Sequence, residues 1–142
     1  MNDYRQYKDL FYEIIGSAMV VYNELGFGLK ESVYQEALAL ELNSRGILCE
    51  REKYVNIYYK GQQLKQFYKM DLIVEKNIVI ETKGVTEIIP EHRAQLFNYM
   101  RLANLPLGLL LNFGDHLQLK GERYVMDEEK VCYRVDKNMQ LL

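Results

Sequence analysis

The stretch YKMDLIVEKNIVIETKG, residues 68–84, governs how this 142-residue chain is read. Two apolar runs flank Glu75-Lys76-Asn77, a turn signal, so the segment reads as a β-hairpin. Loop length then fixes which side chains share a face. A three-residue loop pairs Val74 with Ile78 and Asp71 with Glu81. A two-residue loop of Lys76 and Asn77 would shift the parity and send Asp71 to the opposite face. In the first register Leu72, Val74, Ile78 and Ile80 form one consistent apolar face, which favours it. Asp71, Glu81 and Lys83 then gather on the same face, because Glu81 and Lys83 are two apart in a strand.

Two facing carboxylates repel unless a cation or a proton sits between them. Oxygen donors of this kind suit Mg²⁺ or Mn²⁺, which keep several waters and also bind phosphate oxygens. A lysine beside such an ion can orient or help deprotonate a water and neutralise charge developing at phosphorus. Two acids and a lysine are therefore a minimal kit for hydrolysing a phosphodiester. The competing reading is a cluster of surface ion pairs, since D-x₉-E-x-K is a loose pattern. The surroundings favour chemistry: these charges interrupt apolar strands, where an unpaired carboxylate is costly.

Working outward, Ile47 to Lys83 is rich in Val, Ile and Tyr with period-2 patterning. With a further turn at Lys60-Gly61, it predicts a three-stranded antiparallel meander. Upstream, Phe11, Ile14, Ile15, Ala18, Tyr22 and Leu25 recur at helical spacing, and Gly26 and Gly28 end that helix. A second helix starts near Ser32, carries Tyr34, Ala37, Leu38 and Leu42, and stops at Gly46. Downstream, Pro90 opens a third helix with Leu96, Tyr99, Met100 and Ala103 on its apolar stripe. The run LPLGLLLNF from Leu105 suits a strand buried on both faces and added in parallel after a helical crossover. A short hairpin turning at Lys120-Gly121 is expected next. The order is helix, helix, three strands, helix, strand, hairpin, giving an α/β architecture with a mixed sheet.

The length suits one domain over residues 1–142, and no repeat or linker interrupts it. No apolar run is long enough to cross a bilayer, and the N-terminus lacks the pattern of a secretory signal, so a cytoplasmic address and no membrane are expected. Cys49 and Cys132 stand apart with no CxxC pair, which disfavours structural zinc and suits a reducing compartment. A net charge of −2 and a pI near 5.7 weigh against a protein that coats nucleic acid non-specifically. An enzyme acting on phosphodiesters can still be acidic, because a carboxylate-bound cation supplies local positive charge.

Residues 28–34, GLKESVY, read G-x-x-E-x-x-Y at the start of the second helix. Together with IYYKGQQL (57–64), the 71–85 hairpin, HRAQLFNYMRLANLPLGLLLNFG (92–114) and the Arg123 strand, this order of motifs resembles the GxxExxY proteins, a subgroup of the PD-(D/E)XK nuclease superfamily. Asp71 matches the superfamily's first acid and Glu81-Thr82-Lys83 its E-x-K, while Met70 stands where a Pro is usual. The resemblance implies a restriction-endonuclease-like core, ααβββαβ plus a C-terminal hairpin. It also implies a Mg²⁺- or Mn²⁺-dependent nuclease acting on DNA ahead of RNA. Asp71, Glu81 and the Thr82 carbonyl would hold the metal, and Lys83 would position the attacking water. By the same resemblance Glu31 is an additional acid, as accessory ligand or base, and Gln95 of Gln95-x-x-x-Tyr99 helps to place the lysine or a phosphate.

Each added residue has a plainer reading. Glu31 also fits as a first-turn acid favoured by the helix dipole, and Tyr34 and Tyr99 as core tyrosines with bonded hydroxyls. His92 shares a helix face with Gln95 but sits near an exposed helix start. The twelve tyrosines read more simply as sheet-packing residues than as base-stacking ones. The alternative function is a catalytically silent nuclease-like domain that binds nucleic acid or protein. No recognition insert is visible, so self-association or a protein partner is expected to supply substrate binding.

Overall fold

The computed structural model describes residues 3–142. Asp3 caps a short 3-10 turn at Tyr4–Tyr7, which runs into α1 (Lys8–Leu25). The buried stripe of α1 is Phe11, Ile14, Ser17, Ala18 and Val21, while Leu25, expected on that stripe, is exposed. Gly26, at φ 74°, ends the helix in the left-handed region where a side chain would be strained. The second helix, α2 (Glu31–Ser44), buries Tyr34, Gln35, Leu38, Ala39 and Leu42.

Six strands form one sheet in the order β1-β2-β3-β4-β5-β6. They are β1 (Cys49–Tyr59), β2 (Gln62–Val74), β3 (Ile78–Lys83), β4 (Leu107–Asn112), β5 (Lys120–Met126) and β6 (Cys132–Val135), with α3 (Pro90–Ala103) crossing over between β3 and β4. The β3–β4 pair is parallel and every other pair is antiparallel. This mixed sheet with flanking helices is the architecture expected from the sequence. The 74–78 loop takes the three-residue form, since Val74 pairs with Ile78 and Leu72 with Ile80.

The sheet separates two apolar clusters. Leu72, Val74, Ile78, Ile80, Leu109 and Leu111 pack against α1 and α2. Ile73, Val79, Leu110 and Tyr124 pack with Leu96, Tyr99 and Met100 of α3. Strands β3 and β4 are thus covered on both sides, which is why they read as continuous apolar runs. Each Leu or Ile so enclosed contributes roughly 1.5–3 kcal/mol relative to exposure.

Two expectations need correcting. Lys120 and Gly121 lie inside β5 rather than in a turn. A Cβ on Gly121 would sit 3.3 Å from the Leu111 side chain, so this glycine answers to cross-strand crowding rather than to chain reversal. The reversal falls at Asp127–Val131, where the Asp127 carboxylate accepts from the Glu129 and Val131 N–H groups and Lys130 takes φ 67°. The second correction concerns the tyrosines of β1 and β2. Only the last three residues of β2, Leu72–Val74, pair with β3. The outer part of the ribbon therefore stands clear of the sheet: Tyr54, Tyr58 and Tyr59 are 61–63% exposed instead of packed, whereas Tyr68, 45% exposed, leans on Tyr99 of α3 beside the buried Val55.

Candidate active site

The site forms where β2 and β3 part. Their ladder stops at Leu72–Ile80, and Asp71 reaches into the widening gap. Its Oδ2 accepts from both the backbone N–H and the hydroxyl of Thr82, each at 3.0 Å. The Thr82 hydroxyl accepts in turn from Gln35 Nε2 of α2 at 3.0 Å. A chain of buried polar groups thus locks one oxygen of Asp71 and leaves Oδ1 without a hydrogen bond among the described residues.

Glu81 is 2% exposed, and its Oε1 is buried with no hydrogen-bond partner among the described residues. Oε2 lies 3.8 Å from Lys83 Nζ. Burial first, and the Asp71 charge second, push the Glu81 carboxyl up to about 8, against the pull of Lys83 and of the Asp71 backbone N–H. Burial also lifts Asp71 above the ordinary carboxylate value, opposed by its two bonds from Thr82. Lys83 Nζ donates to Gln95 Oε1 at 2.5 Å, and Gln95 Nε2 donates to the Tyr99 hydroxyl at 3.0 Å. The half-buried lysine is therefore aimed by α3 across the gap. Burial and the Glu81 charge raise the Tyr99 phenol, which keeps it a neutral support.

The expected Asp71–Glu81 cross-strand pair does not form, because the ladder ends at Leu72–Ile80; Asp71 is held near Glu81 and Lys83 through Thr82 instead. Glu31 arrives from the other side: its Oε1 accepts from the Gly84 N–H at 3.0 Å, just past the end of β3. It adds negative charge felt by both Asp71 and Glu81. His92 is not part of the site. Its Nδ1 accepts from the Ile89 N–H at 3.1 Å and caps α3. Tyr34 stacks on Phe113 at 4.5 Å, and its hydroxyl donates to Gly26 O and accepts from Leu29 N, fixing the loop that delivers Glu31.

Two supports escaped the sequence reading. Asn112, 1% exposed, clamps the segment after Lys83: Oδ1 accepts from the Val85 and Gly114 N–H groups, and Nδ2 donates to Val85 O. Gly114 lets that segment approach, since a Cβ there would meet Val85 backbone atoms at 2.3–2.4 Å. The signal for Asn112 was a lone polar residue ending an apolar run. Gln35 had the same kind of signal on the stripe of α2.

A sequence model of the PD-(D/E)XK nuclease superfamily matches residues 8–124. The chain belongs to that superfamily. Among solved structures it resembles the crystal structure of SSO0001, with a TM-score of 0.54 and 19% identity over 83% of this chain. That likeness concerns the fold alone, and this chain spans 59% of the SSO0001 chain. No curated protein matches the sequence. PD-(D/E)XK nucleases typically use divalent metals. Among the described residues no helix is long and apolar enough to cross a membrane.

The residues present fit such an ion. A buried carboxylate oxygen without a partner, beside a second carboxylate held rigidly by Thr82, is an arrangement that a hard cation would satisfy. Among the described residues no three His, Cys, Asp or Glu side chains converge on one point. A backbone carbonyl and water would have to complete the coordination, which suits Mg²⁺ or Mn²⁺ better than zinc.

Proposed function

We propose that this chain is a divalent-metal-dependent nuclease that hydrolyses phosphodiester bonds in DNA, with Mg²⁺ or Mn²⁺ as its ion, and that it belongs to the GxxExxY group. The observation that carries the proposal is the partnerless buried Glu81 Oε1, set beside Asp71 and facing Lys83. A proton or a cation is what would neutralise that buried oxygen.

In this reading Asp71, Glu81 and the Thr82 carbonyl hold the ion, with Glu31 as an accessory ligand or base at the rim. When bound, the ion supplies Lewis-acid activation and neutralises charge developing on the phosphate oxygens. Thr82 and Gln35 keep Asp71 from rotating, so its free Oδ1 is presented without reorganisation. An ion at this site would displace the proton that burial favours on Glu81, so its binding would depend on pH. Gln95 holds Lys83 by one lone pair. The ammonium's remaining N–H donors orient the attacking water and stabilise the charge that builds at phosphorus. Tyr99 fixes Gln95 in turn.

The test is cleavage of labelled DNA and RNA oligonucleotides in Mg²⁺, Mn²⁺ and EDTA by wild type, Asp71→Asn and Lys83→Ala. Both variants should lose metal-dependent cleavage and keep the wild-type circular dichroism. Cleavage undiminished in either would overturn the assignment. One observation favours a second reading, a silent nuclease-like binding module: the absence of a third converging carboxylate among the described residues. Calorimetric titration with Mn²⁺ separates the two, since a catalytic site binds the ion and Asp71→Ala abolishes that binding.

A further inference from the structure

The outer part of the β1–β2 ribbon carries a charge unlike that of the rest of the chain. Between residues 51 and 69 stand Arg51, Lys53, Lys60, Lys65 and Lys69 against Glu52, which lies 3.8 Å from Lys69, while Lys53 is paired at 2.8 Å with Glu50 just outside this stretch. The chain as a whole has 18 Lys and Arg and 20 Asp and Glu. The remainder is thus strongly acidic, and the basic charge is concentrated on the projecting arm. Overall pI conceals this separation.

The same arm exposes aromatic rings on the face opposite Val55, Tyr68 and Met70, which lean on α3. Tyr54 is 63% exposed, Tyr58 61% and Phe67 55%. Alternation along β1 puts Tyr54, Asn56 and Tyr58 on one face; Lys69 and Phe67 lie opposite Tyr54 and Asn56, and the register shifts before Tyr58 meets Gln63. Tyr54 and Phe67 meet edge to face at 5.3 Å, so their outer surfaces stay open. The offset is constant from Asn56 and Phe67 back to Cys49 and Val74, but the pairing skips Glu52 and Asp71 and Glu52 takes φ 55°, so the strands change face there: Val55 and Met70 join the cluster under α3, Cys49 and Leu72 the cluster under α1 and α2. Alternation puts Phe67 and Lys69 in one row, which ends two residues short of Asp71.

We propose that this face is a track for single-stranded nucleic acid, whose bases stack on Tyr54, Phe67 and Tyr58 while Lys69 and the neighbouring basic residues hold the phosphates. The track leads the strand toward Asp71. The inference rests on the nuclease reading and deepens it by naming the form of the substrate. Stacking on exposed rings needs unpaired bases, which a duplex hides, and rings interleaved with lysines are the combination that holds single strands without sequence preference. A second copy of this chain is the poorer occupant, because two arms of the same sign repel.

The test is fluorescence anisotropy with a labelled 15-nucleotide DNA strand and its duplex, in EDTA so that binding is read apart from cleavage. Wild type should bind the single strand tightly and the duplex weakly. The double variant Tyr54→Ala/Phe67→Ala should lose about tenfold or more in affinity, from two lost stacking platforms. Lys69→Gln should weaken binding and lower the salt-dependence slope by about one phosphate contact. Tyr12, 73% exposed on α1, serves as a control ring whose replacement by Ala should change nothing. Unchanged binding by the double variant overturns the track, as does equal affinity for duplex, or a wild-type dimer that the ring substitutions dissociate. If wild type binds single strands through these rings yet cleaves nothing in any metal, the track stands and the nuclease reading fails.

Discussion

Changing Glu81 to Gln turns a buried titrating group into one that keeps its shape and cannot ionise. In the folded chain this carboxyl titrates at about 8, against an ordinary value of 4.5. A folded-state value raised above the unfolded one makes this group's contribution fully present below the ordinary value. That contribution drains away as pH rises toward 8, because the unfolded chain ionises freely while the folded one resists. Integrated between pH 5 and pH 8, the loss amounts to up to about 4 kcal/mol in metal-free buffer. The Gln variant lacks this loss, and Asp71 is present in both proteins. For a chain of this size the two melting temperatures should therefore diverge by about 10 °C as pH rises from 5 to 8, with wild type the lower at pH 8. The assay is thermal and urea unfolding of both proteins in EDTA at pH 5, 6.5 and 8. Adding Mn²⁺ at pH 8 should restore stability to wild type and not to the variant, since a ligand that binds only the folded state stabilises it. Parallel pH profiles for the two proteins would refute the reasoning, because they would mean that Lys83 already compensates Glu81 and no cation is called for.

The supports around the site give two more tests. Asn112→Ala strands the Val85 and Gly114 N–H groups and the Val85 carbonyl, and should cost about 2–4 kcal/mol in urea unfolding. Cleavage should fall with it, because the clamped segment follows directly on Lys83. Gly114→Ala drives a Cβ into the Val85 backbone and should cost about 2 kcal/mol or more by the same measurement. By contrast Gly121→Ala, whose added Cβ would press on a movable Leu111 side chain at 3.3 Å, should cost less than Gly114→Ala. Equal penalties at the two glycines would show that backbone crowding is not what Gly114 relieves.

Much of the fold could be read from local pattern. The apolar face of Leu72, Val74, Ile78 and Ile80 admits only one loop length, and the structure has that loop. Helices α1, α2 and α3 declare themselves by 3.6-residue spacing, Gly26 and Pro90, and β4 by an apolar run that only a doubly covered strand can carry. The C-terminal hairpin misled because glycine has two uses. Gly121 answers a crowded neighbour across the sheet, whereas the real turn is made by Asp127, whose carboxylate caps two backbone amides without any glycine.

The sequence by itself determined the strand register up to Leu72–Ile80 and so the shared face of Glu81 and Lys83, since a period of two leaves those side chains no other choice. Asp71, one residue beyond the ladder, is placed by Thr82. What only the tertiary structure decided is the electrostatic state of these residues. Whether Glu81 is a solvated surface acid or a buried one titrating near 8 depends on α3 closing over β3, which no spacing reports. The same holds for Asn112 and Gln35, polar residues that look misplaced until the segment after β3 and the Thr82 hydroxyl come within reach. It holds equally for Tyr54, Tyr58 and Tyr59 of the β1–β2 ribbon. Their alternation says strand, and only the end of the β2–β3 ladder at Leu72 leaves that strand, and its rings, out in water.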